Sequence, residues 1–212
     1  MKTRNGFVSN SSSSSFVVAF PRKPKTVEDV MLFLFGDSSS DLGNAKYQDS
    51  SLSYGDIARH VFADINGKSI SKKAIMEEFE HRFCYYSPYS GFYEQRNKYC
   101  GTDEEALNGI IEASTLEEQK LQEIQKRIAV TKTDSPEYQK LFNEKFAIHN
   151  KYRAIIDRLC RKVARSDAEA FLKANEGKFI AQFSYADDCG EECTLEHGDI
   201  FHRLEYQRIS HH

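Results

Sequence analysis

Residues 9–20 read Ser-Asn-Ser-Ser-Ser-Ser-Ser-Phe-Val-Val-Ala-Phe. The first seven are small and polar and have no apolar side chain with which to pack. The last five are aromatic, β-branched or small, the composition of a buried strand, and Pro21 and Pro24 stop it. A hydroxyl-rich loop over Ser9–Ser15 therefore feeds a strand over Phe16–Phe20. Strand character returns only at the other end. Lys178–Tyr185 is rich in β formers, and Tyr206–Ser210 can make a last strand. The economical arrangement is an α+β fold: a small antiparallel sheet built from both termini, covered by a mainly helical middle.

That middle has clear punctuation. Thr26 with Asp29 resembles a capping box, and Val27, Val30, Met31 and Leu34 follow at helical spacing. Gly36–Gly43 reads as a loop. Ile57, Ala58, Val61, Phe62 and Ile65 mark a second helix, and Ser71 opens a third. Thr102 and Glu105 read as the capping box of a long helix reaching about Ile128. Ser135 and Pro136 open the next, which runs to about Val163; the short polar link makes the two an antiparallel hairpin. Ser166 and Glu169 suggest a further helix, ended by Gly177. The chain, 1–212, reads as one domain in which the 102–165 hairpin can be an insertion.

Composition narrows the function classes. With 212 residues, 29% charged and 40% hydrophobic, the chain can bury a core without disulfides or metal. No apolar run is long enough to span a bilayer, so no membrane partner is expected. A net charge of -3 disfavours nucleic-acid binding by bulk charge. Five cysteines, an odd count, and no secretory signal read as reduced thiols and a cytoplasmic location. Cys160 and His149 fall on the apolar face of their helix and read as core residues.

The chemistry-bearing residues gather at the two ends. Backbone amides of a loop like Ser9–Ser15 can cradle an anion, and its hydroxyls add donors. Near the other end stand Asp187, Asp188, Cys189, Glu191, Glu192, Cys193, Glu196, His197, Asp199 and His202, with His211 and His212 last. Imidazole titrates near neutral pH, so His197 or His211 can act as a general base oriented by Asp187 or Asp199, with a serine hydroxyl as nucleophile. Cys189, Cys193 and His197 are spaced by four and supply the ligand types zinc prefers. Gly190 and the acidic turn count against the helix that would align them. The His211–His212 pair also reads as a frayed terminus or the remnant of a purification tag.

Arg4-Asn-Gly-Phe-Val-Ser-Asn-Ser-Ser-Ser-Ser-Ser-Phe16 resembles an N-terminal signature shared by a scattered group of phage and bacterial proteins. Glu196-His-Gly-Asp-Ile-Phe201, followed by Arg208-Ile-Ser-His-His212, is similar to the ends of such proteins. The resemblance implies a phage or mobile-element origin and brings no reaction with it. It favours treating the two ends as one site: Arg4, Ser9, Asn10, Ser11, Ser12, Ser13, Glu196 and His212 as ligand-binding residues, and His197, His211 and Asp187 as catalytic ones.

Two functions follow. One is binding of an anionic small molecule, a phosphate-bearing, nucleotide-like ligand, with hydrolysis or transfer as its chemical extension and zinc as a cofactor. The other is a non-catalytic interaction protein that captures a host protein or other macromolecule. Its contact face would be the hairpin and the aromatic segment 83–99, where Tyr85, Tyr86, Tyr89, Phe92, Tyr93 and Tyr99 alternate with cations. Arg158, Arg161, Lys162 and Arg165 form a basic stripe read chiefly as a solvated, dipole-matched helix face.

Overall fold

A computed structural model of the chain describes residues 13–48, 50–66, 70–84, 102–186, 194–195 and 199–211. In order they form β1 (Ser13–Phe20), α1 (Val27–Phe35), α2 (Ser40–Asn44), α3 (Tyr54–Asn66), α4 (Lys72–Cys84), α5 (Glu104–Ala129), α6 (Pro136–Ala174), β2 (Phe179–Ala186) and β3 (Glu205–His211). The fold is α+β, with a three-stranded antiparallel sheet in the order β2-β1-β3. The N-terminal strand is central and both C-terminal strands flank it, so the sheet is built from the two ends of the chain. No described helix is long and apolar enough to cross a membrane.

The apolar run of β1 explains its central place. Phe16, Val18 and Phe20 are buried with one parity, and Val17 and Ala19 are buried with the other. A strand covered on both faces reads as continuous rather than alternating hydrophobicity. The flanking strand β2 alternates instead: Ala181, Phe183 and Tyr185 are buried, whereas Gln182 is half-buried and Ser184 exposed. Its register sets Phe183 beside Phe16 and Gln182 beside Val17.

The chain divides into two compact units, residues 1–78 with 171–212, and residues 79–170. In the first, the Phe16 face of the sheet packs with Val30, Met31 and Leu34 of α1 and with Ile57, Val61 and Ile65 of α3. Ile200 and Phe201 complete that core, and Phe16, Phe183 and Phe201 form an aromatic cluster with centroids 5.1–5.3 Å apart about Phe201. Each such side chain contributes about 1.5–3 kcal/mol by leaving water. In the second unit, Ala106, Ile110 and Ala113 of α5 meet Tyr152, Ile156, Cys160 and Val163 of α6 in an antiparallel seam. Cys160 is buried there, as its helical position suggests.

Several local expectations are corrected. The loop placed over Ser9–Ser15 ends earlier, because Ser13–Ser15 belong to β1. A central strand offers pairing on both sides, and β3 and β2 capture three more residues than the apolar pattern marks. The 36–43 stretch contains α2, capped by the Ser39 hydroxyl. Helix α5 is capped by Asp103, not Thr102, through a 2.9 Å bond from the Ala106 amide. Ser166 starts no new helix. Helix α6 runs unbroken through it, since neither proline nor glycine interrupts the stretch. His149 is exposed rather than core, although it is hydrogen-bonded.

Candidate functional site

At the sheet end where β1 begins, the first and last strands lie side by side. Ser13 is the register partner of His211 on one side and of Ala186 on the other. Ser14 faces Ser210 and Tyr185, and Ser15 faces Ile209 and Ser184. Part of the serine run and the last strand are therefore direct neighbours. Because β1 is bounded by two ladders, the backbone groups of Ser14 and Ser15 serve the sheet.

Among the described residues Arg208 is a charge fixed at this end. It stands beside Phe16 in the register, with its guanidinium carbon 5.7 Å from the centre of that ring. From there Nε and Nη2 both donate to the Ser14 hydroxyl oxygen, at 3.1 and 3.0 Å. Ser14 is completely buried. One residue on, the hydroxyls of Ser15 and Ser184 are 3.2 Å apart.

The face of the sheet carrying Val17 holds further buried polar groups. The Gln182 amide donates to Glu78 Oε2 of α4 at 2.5 Å, and Glu78 itself is buried. Gln207, paired with Val17 from the other side, has no exposure, and its Nε2 donates to the Arg208 carbonyl at 3.2 Å. Buried amides and carboxylates are costly unless bonded, so this face specifies the register more narrowly than an apolar one would.

Among the described residues Asp199 is engaged twice. Its carboxylate accepts the Tyr206 hydroxyl at 2.6 Å, while its carbonyl accepts His202 Nδ1–H at 2.9 Å. Burial, and then the Asp199 carboxylate, push the Tyr206 phenol up to about 12. Burial, followed by the same carboxylate, also raises Tyr47. This corner keeps its phenols protonated at neutral pH.

The other site expectations fall on residues outside those described: Arg4, Ser9, Asn10, Ser11, Ser12, Asp187, Glu196, His197 and His212, and the zinc set Cys189, Cys193 and His197. Among the described residues no group of three metal-ligating side chains is assembled. Residues that sequence reasoning passed over are Arg208, Tyr206, Gln207 and Glu78. The signal for the first two was the alternation Tyr206–Arg208–Ser210 in the last strand; nothing local marks Glu78 as buried. Set beside known proteins, the chain matches no family model, no curated protein and no solved structure.

Proposed function

We propose that this chain is a ligand-binding protein that holds a phosphate-bearing, nucleotide-like anion between its serine-rich N-terminal stretch and its histidine- and acid-rich C-terminal segment. The observation that carries the reading is the register: Ser13 lies opposite His211 in paired strands. A fixed guanidinium, Arg208, stands at the same sheet end. In this reading Arg4, Ser9–Ser13, Glu196 and His212 bind, and His197 or His211, oriented by Asp187, moves the proton in any hydrolysis or transfer. Zinc would be held by Cys189, Cys193 and His197. The phage-type origin rests on the resemblance of the termini, and a cytoplasmic setting on the cysteine usage. Calorimetric titration with nucleotides tests the reading. Ser12→Ala and His211→Ala should each abolish the nucleotide binding that belongs to the termini while the melting temperature holds; wild-type binding there in both variants overturns it.

A second reading, capture of a host protein through the hairpin, is favoured by one observation. Phe142 and Phe146 are 39% and 53% exposed on α6, edge to face with centroids 5.0 Å apart, and Tyr138 stacks on Phe142. Exposed aromatic ladders serve as anchors in interfaces. The 83–99 segment that would extend the surface lies almost wholly outside the described residues. Phe142→Ser with Phe146→Ser should release a co-purifying partner without loss of stability; retention of the same partner by the double variant counts against it.

A further inference from the structure

The basic stripe of α6 is exposed. Arg158, Arg161, Lys162 and Arg165 line an open cleft of ≈ 890 Å3 within the 79–170 unit, together with Asp157 and Glu169. The four cations differ in their partners. Lys162 is 3.2 Å from the Asp103 carboxylate, and Arg165 Nε donates to Glu80 of α4 at 2.7 Å. These pairs tether Lys162 and Arg165 to residues outside α6. Arg158 and Arg161 are exposed and form no ion pair or hydrogen bond among the described residues. Asp157 and Arg161 stand at i, i+4, a spacing at which helical ion pairs form readily, yet they do not pair.

We propose that this cleft is a second anion site, in which Arg158 and Arg161 grip a compact phosphate group such as a pyrophosphate or the diphosphate of a nucleotide. Two guanidiniums one helical turn apart present planar donor forks that match phosphate oxygens, and Arg binds such groups bidentately. The cleft volume falls in the range of small-molecule sites, about 300–1,000 Å3. Three carboxylates on the lining (Asp103, Asp157 and Glu169) set against four cations make a poor track for a long polyanion, and the chain's net charge of -3 points the same way. A compact anion needs only the two arginines that lack partners among the described residues. The site is independent of the one proposed at the termini.

The test is calorimetric titration of the full chain with pyrophosphate and, separately, ADP, at low salt. Wild type should saturate with at least one probe. Arg158→Gln with Arg161→Gln should weaken binding by about tenfold or more, the loss expected when charged hydrogen bonds are removed, with an unchanged melting temperature. Equal affinity for both probes assigns recognition to the phosphates alone; tighter ADP binding adds a nucleoside contact. No saturable binding of either probe, or an unaltered affinity in the double variant, overturns the proposal. So does tighter binding of a single-stranded oligonucleotide with a steep salt dependence, the mark of a phosphate backbone. His211→Ala should leave this binding intact, so failure here and failure of the termini reading are separable.

Discussion

Arg208 and Ser14, 194 residues apart in sequence, are joined by two hydrogen bonds from one guanidinium to one hydroxyl. The contact ties the last strand to the first at the sheet end where β1 begins. Ser14 is completely buried, so its loss withdraws an acceptor from a charged donor away from water. Ser14→Ala should cost about 1–3 kcal/mol. A double-mutant cycle with Arg208→Ala, read by urea unfolding, should give a coupling of at least about 0.5 kcal/mol. Additive losses would mean that the pair is incidental.

Asp167 should be among the least replaceable residues of the second unit. It has no exposure, and its Oδ1 accepts both the amide and the hydroxyl of Thr102 at 2.8 Å. A carboxylate only accepts, so the Thr102 proton goes to Asp167, and the Ser166 hydroxyl, 2.9 Å from Thr102, becomes the donor of that bond. Asp167→Ala should destabilise by roughly 2–4 kcal/mol, two part-buried bonds to a fully buried carboxylate being lost. Ser166→Ala should cost less than about 1 kcal/mol, because its partner is exposed. Thermal melts of both variants check the order.

Gly55 sets two opposed effects against each other. Alanine is favoured over glycine in a helix by about 1 kcal/mol. A Cβ at Gly55, however, would sit 2.7 Å from the Gly43 carbonyl oxygen, a backbone atom of α2 that cannot swing aside. Overpacking costs about 1–3 kcal/mol, so Gly55→Ala should be net destabilising. Gly177→Ala meets no atom within 4 Å, and only its φ of +80° penalises it, so a milder loss is expected. Equal melting temperatures for the two variants would contradict this.

Acid should loosen the helix starts of the first unit. Asp56 is held at about 2, first by the Ser53 hydroxyl and amide and then by Arg59. Asp29 is held well below the usual carboxylate range, first by Arg22 and then by the Lys25 amide. Both folded values lie below the unfolded one of about 3.9. The stabilisation is therefore fully present above about pH 4 and is lost as pH falls through about 2. Circular dichroism from pH 6 downward should show helix loss in that window. Asp56→Asn should be less stable at neutral pH and flatter below pH 4; an identical acid limb would remove Asp56 from the account.

His149 and Glu117 join the hairpin at 2.7 Å, with Nδ1–H donating to a carboxylate that is almost entirely buried. Removing the exposed member leaves the buried acceptor short of a partner. His149→Ala should therefore cost about 1–3 kcal/mol, more than truncation of a typical surface side chain. A loss below about 0.5 kcal/mol would show that water replaces the imidazole without penalty.

Much of this architecture is legible from residue order. Val17 and Ala19 between Phe16, Val18 and Phe20 already mark a strand buried on both faces, and a strand pattern free of breakers recurs only after Gly177, so a sheet from the two ends follows. Pro136 behind Ser135 fixes the start of α6, because proline's missing amide costs nothing there. These are local signals, carried by backbone chemistry and apolar periodicity. Tertiary structure alone decided the partnerships. Thr102 looks like a cap but is taken by Asp167, and Asp103 caps α5 in its place. Ser13–Ser15 look like loop but are strand, since neighbouring edges supply hydrogen bonds that no property of serine announces. Arg208 finds Ser14, and Gln182 finds Glu78, across 194 and 104 residues. A side chain's type limits what it can bond, whereas its bonding partner depends on which strands and helices pack beside it, and that packing is set by the whole chain at once.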